Sequence, residues 1–186
     1  MIDEIQIAKA VSEILEALGE DKEREGLKAT PKRVAALYAE LFSGIGKDPA
    51  AELTTICEKN AEQMIVVKDI EFYSMCEHHL VPFYGKAHLV YLPQNNIITG
   101  FSKLCRLVEI TAKRPQLQER MTIQIADAIM AALNPLGALV VVEATHLCML
   151  MRGAKNTTAR TITSAIRGIF YEDAAARAEA LRLIGV

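Results

Sequence analysis

The stretch Met64-Ile65-Val66-Val67-Lys68-Asp69-Ile70-Glu71-Phe72-Tyr73-Ser74-Met75-Cys76-Glu77-His78-His79 decides the fold and puts candidate chemistry at one end of it. Here the spacing of apolar residues changes. Met64–Val67 and Ile70–Tyr73 read as strand, and after a turn at the Cys/His run a second strand reads from Lys86 to Leu92. Cys76 and His79 are three residues apart, which in a regular strand would send them to opposite faces. Both reach one point only if the chain turns between them, and Pro82 just beyond fits irregular backbone there.

Upstream of this hairpin, Ile5, Ala8, Val11, Leu15 and Leu18 recur at helical spacing and Gly19 closes the segment. A second helix starts at Thr30-Pro31, with Thr30 as the expected cap, and runs to about Ser43-Gly44. Residues 45–60 read as irregular or as a short helix. Downstream, Pro93-Gln94-Asn95-Asn96 is a turn cluster, followed by helices from Ser102 to about Lys113 and from Gln116 to about Leu133. A continuous apolar strand is expected from Ala138 to Met151, another from about Arg160 to Phe170, and then a closing helix. This order predicts an α+β fold, a four-stranded antiparallel sheet with helices on one face. Residues 1–60 are the N-terminal helical region and 61–186 the catalytic domain, together one compact unit. The sheet edges need covering, and oligomerisation is one way to cover them.

The chain has 186 residues, 51% of them apolar, and a net charge of −2. That charge argues against a general nucleic-acid binder. No apolar run reaches the roughly 18 residues of a membrane helix, and Met1-Ile2-Asp3-Glu4 lacks the basic start of a signal peptide. The expectation is a cytoplasmic protein with no nucleic-acid or membrane partner, whose cysteines stay reduced and serve as ligands or catalysts.

Cys76-Glu77-His78-His79 and His146-Leu147-Cys148 supply two cysteines and three histidines, from a chain with only four of each. Soft thiolates with imidazole suit zinc. Clustering favours metal binding by Cys76, His79 and Cys148, and three protein ligands leave a fourth position open, as in a catalytic site. Cys57, Cys105 and His88 read as ordinary core or surface residues. Two thiolates cancel the charge of a zinc ion, so its water is acidified less than at an all-histidine site. Neighbouring proton carriers are then useful, and His78 and His146 are the candidates. On a strand from 138 to 152, His146, Cys148 and Arg152 share a face, with Arg152 roughly 13 Å beyond Cys148. That span suits a substrate with a reacting ring and an anionic tail.

Gly100 precedes a helix whose first turns carry Ser102, Lys103 and Arg106, a natural phosphate site. The same pattern is also that of a solvated helix start. Gln118-Glu119 opens the next helix, as a favourable first turn or as an amide and carboxylate reading a guanine edge. Spacing does not choose between these.

These residues carry a resemblance. Arg24-Glu25-Gly26-Leu27 with Thr30-Pro31-Lys32-Arg33-Val34, the Ser74–His79 run, Gly100–Arg106, Arg114–Arg120, His146–Cys148 through Arg152-Gly153, and Thr161–Ser164 with Gly168-Ile169-Phe170 together resemble the GTP cyclohydrolase I family, in order over about residues 20–170. The resemblance implies the tunnelling fold, with subunits joining their sheets into an oligomeric β-barrel, a decamer of two pentamers, and active sites shared between subunits. It implies that zinc-bound water opens the imidazole ring of GTP at C8, that formate leaves, and that the skeleton recloses as 7,8-dihydroneopterin triphosphate. This is the first step of folate or tetrahydrobiopterin synthesis. It makes Cys76, His79 and Cys148 the zinc ligands and His78 and His146 the acid/base pair. It assigns Gln118 and Glu119 to guanine, and Ser102, Lys103, Arg106, Arg152 and Arg33 to the ribose and phosphates. Lys22 and Ala159 depart from the family's usual proline and serine, away from this chemistry. The short N-terminus lacks the extension of animal forms, so control by a regulatory protein is not implied. The alternatives are another tunnelling-fold pterin or deazapurine enzyme and a non-catalytic zinc-stabilised scaffold. The former does not predict both Cys76-x-x-His79 and His146-x-Cys148, and the latter predicts that replacing His78 or His146 leaves any function untouched.

Overall fold

The computed structural model describes residues 2–153, 155–156 and 158–185. Two helices open the chain, α1 (Glu4–Ala17) and α2 (Thr30–Leu41), packed on each other. Asp3 caps α1 by accepting from the Gln6 amide. Thr30 does not cap α2 as expected: Ala29 takes that position, and Thr30 is the first helical residue. Its hydroxyl instead accepts from Arg33 Nη2 at 2.7 Å.

Residues 45–60 contain a 3-10 turn, Pro49–Glu52, and a short strand β1 (Thr55–Cys57). The main hairpin follows as β2 (Ile65–Cys76) and β3 (Pro82–Leu92), then β4 (Ile97–Thr99), which pairs with β1. Next come α3 (Phe101–Ala112), the two-residue strand β5 (Pro115–Gln116) and α4 (Gln118–Leu133). The chain ends with β6 (Gly137–His146), a helical turn α5 (Leu147–Leu150), β7 (Thr161–Gly168), a turn α6 (Ile169–Glu172) and α7 (Ala174–Ile184).

The four long strands pair antiparallel in the order β2-β3-β6-β7, and β5 adds to β2 in parallel through Met75↔Pro115 and Cys76↔Gln116. Period-two alternation sends Phe83, Ala87, Leu89 and Tyr91 of β3, and Ala138, Val140, Val142 and Ala144 of β6, to one face. There they meet Leu104, Leu107 and Val108 of α3 and Met121, Ile125 and Ile129 of α4 in the main core. Each fully buried aliphatic side chain there contributes about 1.5–3 kcal/mol. The opposite face is also partly covered. Val90, Leu139 and Val141 pack under Phe170 of α6 and Ala180 and Ile184 of α7.

Two close approaches fix the layers. A Cβ on Gly85 would lie 1.9 Å from the Glu143 carbonyl oxygen, so only glycine lets β3 run this close to β6. A Cβ on Gly44 would lie 2.3 Å from the Ile110 carbonyl oxygen, and here the end of α2 docks on α3. Arg114 secures that junction by donating to the Gly44 and Lys47 carbonyls. Leu53 lies in the main core, so residues 45–60 bind the helical region to the rest.

Candidate metal centre and active site

The ends of β2, β3 and β6 meet at one edge of the sheet. β2 stops at Cys76, and residues 77–79 form the expected turn. The Cys76 carbonyl accepts from the amides of His79 (3.3 Å) and Leu80 (2.8 Å), and Leu80 takes φ +50°. The turn swings His79 back over Cys76. β5 locks its start, since the Glu77 amide donates to the Gln116 carbonyl at 3.0 Å. Arg120 of α4 clamps its middle with a two-pronged grip on the Glu77 carboxylate. That guanidinium holds the Glu77 carboxyl below the usual carboxylate range.

Cys148 arrives differently from the expectation. β6 ends at His146, where its partner β3 begins (Phe83↔His146), and the chain turns helical over Leu147–Leu150. The shared parity of His146, Cys148 and Arg152 therefore does not hold, and neither does the roughly 13 Å separation of Arg152 from Cys148. Helical rise is about 1.5 Å per residue, so Arg152 folds back beside the ligand group. Its Nη1 lies 2.8 Å from His79 Nε2. The result is a compact cluster: the ligand atoms of Cys76, His79 and Cys148 all lie within 4.8 Å of one another. Burial pushes the Cys148 thiol up, and the adjacent Cys76 sulfur adds to this.

His146 stands next to the cluster. Its ring stacks on Phe83 with centroids 4.6 Å apart and planes 2° from parallel. Its Nε2 is 2.7 Å from Gln118 Oε1. Burial pushes its pKa down, against the opposing pull of Glu119. His78 is exposed in the turn, its ring edge-on to His79 at 6.3 Å. Glu119 is exposed at the start of α4, near enough to His146 to act on its charge. Gln118 is buried, and its amide is spent inside the protein on Val142, Thr161, Thr163 and His146. Reading a base edge would break those bonds. The spacing of the sequence did not reveal these partners.

Ser102, Lys103 and Arg106 are not brought to this cluster within one chain. They line a cleft of about 810 Å³ along α3. The Ala112 carbonyl at the other end of α3 accepts from Ser74, two residues before Cys76. Ten helical residues separate Ser102 from Ala112, roughly 15 Å of axis. Arg106 already pairs with Glu52 at 3.7 Å and Glu109 at 3.1 Å. Arg33 is tied within its own segment, to the Gly26 carbonyl and the Thr30 hydroxyl.

Two thiols and an imidazole converging with a position to spare, beside a braced histidine, are the arrangement of a hydrolytic metal centre. Comparison with known proteins makes this specific. The chain belongs to the GTP cyclohydrolase I family, whose model matches residues 7–185. It is 60% identical over 185 residues to GTP cyclohydrolase 1 of Carboxydothermus hydrogenoformans, covering 100% of this chain and 96% of that protein. It is 58% identical over 183 residues to the Bacillus subtilis protein of the same name, covering 98% and 96%. It is 59% identical over 184 residues to that of Desulforamulus reducens, covering 99% and 98%. A solved structure, the archaeosine synthase QueF-Like in the apo form, overlaps 60% of this chain and 97% of its own, with a TM-score of 0.48 and 15% identity, a likeness too loose to build on. Family membership makes the α+β architecture above that of the tunnelling fold. No helix among the described residues is long and apolar enough to cross a membrane.

Proposed function

We propose that the chain opens the guanine imidazole ring of GTP at C8, releases formate and recloses the skeleton as 7,8-dihydroneopterin triphosphate, the first step of folate or pterin synthesis. The observation that carries this reading is the convergence of Cys76, His79 and Cys148 within 4.8 Å, in a chain of this family. The donor set fits zinc. Bonds of about 2.0–2.3 Å keep tetrahedral ligand atoms less than about 4 Å apart. A group within 4.8 Å therefore closes on the ion with a movement of about 1 Å or less. Bound there, Zn2+ supplies Lewis acidity for hydrolysis at C8.

The remaining steps fall to the chain's own residues. His78 and His146 carry protons from the attacking water to the imidazole nitrogen that parts from C8, each taking one up before giving it away. Glu119 accepts from guanine N1–H and the 2-amino group. Arg152, beside His79, meets the phosphate nearest the reacting ring. Ser102, Lys103 and Arg106, with Arg33, hold the rest of the triphosphate. We assign these contacts to neighbouring subunits, because one chain keeps Lys103 and Arg106 a helix length from its own ligands. The open edge of β7 supports the assembly in which such sites form, a barrel of joined sheets in a decamer of two pentamers. The four free cysteines agree with a reducing cytoplasm.

The test incubates zinc-loaded protein with GTP and measures formate and the fluorescence of the oxidised pterin. Wild type is expected to yield both and Cys148→Ala neither. No product from wild type, or full activity in Cys148→Ala, overturns the reading.

A further inference from the structure

Gln118 is only 1% exposed, yet its side chain makes four hydrogen bonds. Nε2 has two hydrogens for three acceptors, the Val142 and Thr161 carbonyls, each at 3.0 Å, and Thr163 Oγ1 at 3.1 Å, so one hydrogen is shared. Backbone carbonyls can only accept, so the NH₂ end of the amide must point at them and Oε1 must point at His146. Oε1 in turn can only accept, so the ring nitrogen 2.7 Å away, Nε2, carries the hydrogen.

The neighbouring hydroxyls order the rest. Thr122 Oγ1 donates to the Gln118 carbonyl at 2.7 Å. Its own proton being spent, it accepts from Thr163 Oγ1, 2.7 Å away, and the Thr163 oxygen is left to accept from Gln118. Each hydroxyl proton in the network has one place, and the two amide hydrogens of Gln118 are shared among its three acceptors. With Phe83 against its face, the His146 ring is fixed in plane and in tautomer, and among the described residues no hydrogen bond reaches its Nδ1.

We infer that Gln118 is a positioning residue that acts through His146, holding its ring with the hydrogen on Nε2 and the Nδ1 lone pair free, and that it does not read guanine. This rests on the ring-opening reading above. A glutamine turned toward substrate would give up its bonds to the buried Val142 carbonyl and the half-buried Thr161 carbonyl and release the histidine. The two roles therefore exclude each other.

A double-mutant cycle separates them: wild type, Gln118→Met, His146→Ala and the pair, each assayed with GTP and with ITP, which lacks the 2-amino group. Zinc content is measured alongside. Gln118→Met is expected to lower kcat about 10–100-fold, the usual range for a residue that orients a functional histidine. KM for GTP and the preference for GTP over ITP are expected to stay unchanged, and Gln118→Met to cost nothing further in the His146→Ala background. A raised KM with loss of the GTP preference, or a full additional loss in that background, overturns the inference. If Gln118→Met does not fold, Gln118→Asn, one methylene short but still an amide, is read against the same outcomes. Should His146→Ala be too slow to measure, the division between kcat and KM with the two nucleotides decides. Wild type inactive on GTP would instead sink the ring-opening reading.

Discussion

The two ends of α3 are built on opposite principles. At its C-terminal end the ligand cluster is braced from every side, by β5 behind Cys76, Arg120 on the turn, and Phe83 and Gln118 on His146. At its N-terminal end, Ser102 and Arg106 are exposed around an open cleft of about 810 Å³. Glu40, Glu52, Glu71 and Glu109 line that cleft against Lys103, Arg106 and Lys113, so the carboxylates outnumber the cations. On the function proposed above, one chain finishes the reacting end of the site and leaves the anion-binding end unfinished. A polyanion is held well only where cations are unpaired and focused. The cleft of a single chain does not meet that condition.

The largest effect tests this contrast directly. Cys148→Ala removes a ligand but keeps α3 intact, while Lys103→Ala/Arg106→Ala keeps the ligands and loses the cations. Each is expected to be inactive alone on GTP. Dissociated and reassembled together in equal amounts, they should recover about a quarter of the wild-type rate, if each site draws ligands from one subunit and cations from a neighbour at random. Formate release measures it. Recovery no higher than either parent would mean that the two ends serve one another within a chain, and the proposed division of the site would fall.

A smaller effect sharpens the other half of the comparison, the claim that the reacting end is prebuilt. The Arg120–Glu77 pair is exposed, so its removal is expected to change stability little. Yet it braces the turn bearing two of the three ligands. Arg120→Met is therefore expected to weaken zinc binding about 10-fold with little change in melting temperature. Competition with a chromogenic chelator measures the affinity. Unchanged affinity would leave β5 and the backbone bonds as the whole support of the turn.

Much of the braced end was legible in the sequence because its signals are local. Alternation marked β2 and β3, and the need for Cys76 and His79 to share a point required a turn where one is found. The cluster itself followed from residue type. What failed depended on partners far along the chain. The run from Ala138 to Met151 is apolar throughout and reads as one strand. It stops at His146 only because β3, its partner, starts at Pro82. The displacement of Arg152 follows from that single stop. The partners of Gln118 stayed hidden for the same reason, since its bonds reach 24, 43, 45 and 28 residues along the chain, to Val142, Thr161, Thr163 and His146. Strands β1 and β4, three residues each, pair across the whole hairpin and carry too little pattern to be read.

The smallest effect concerns a different histidine, buried and with no candidate ligand beside it. His88 lies in β3, 6% exposed, and its Nδ1 accepts from the Asp69 amide at 3.2 Å, where β2 bulges and Asp69 takes φ +60°. Burial pushes its pKa below the ordinary value of 6.5, outweighing Asp69 and Glu143, while Lys68 and Lys86 push the same way as burial. Folded His88 therefore resists a proton that the unfolded chain accepts. Its contribution to stability is complete above pH of about 6.5 and is lost as pH falls from there toward the folded value. His88→Phe keeps a ring of similar bulk but orphans the Asp69 amide, and is expected to cost about 1 kcal/mol at neutral pH. The gap to wild type should narrow between about pH 6.5 and 5, as wild type loses what the variant never had. Urea unfolding across that range measures it. A gap that stays constant would mean that His88 serves only as a bond acceptor for the bulge, and that sensitivity to acid lies with other groups.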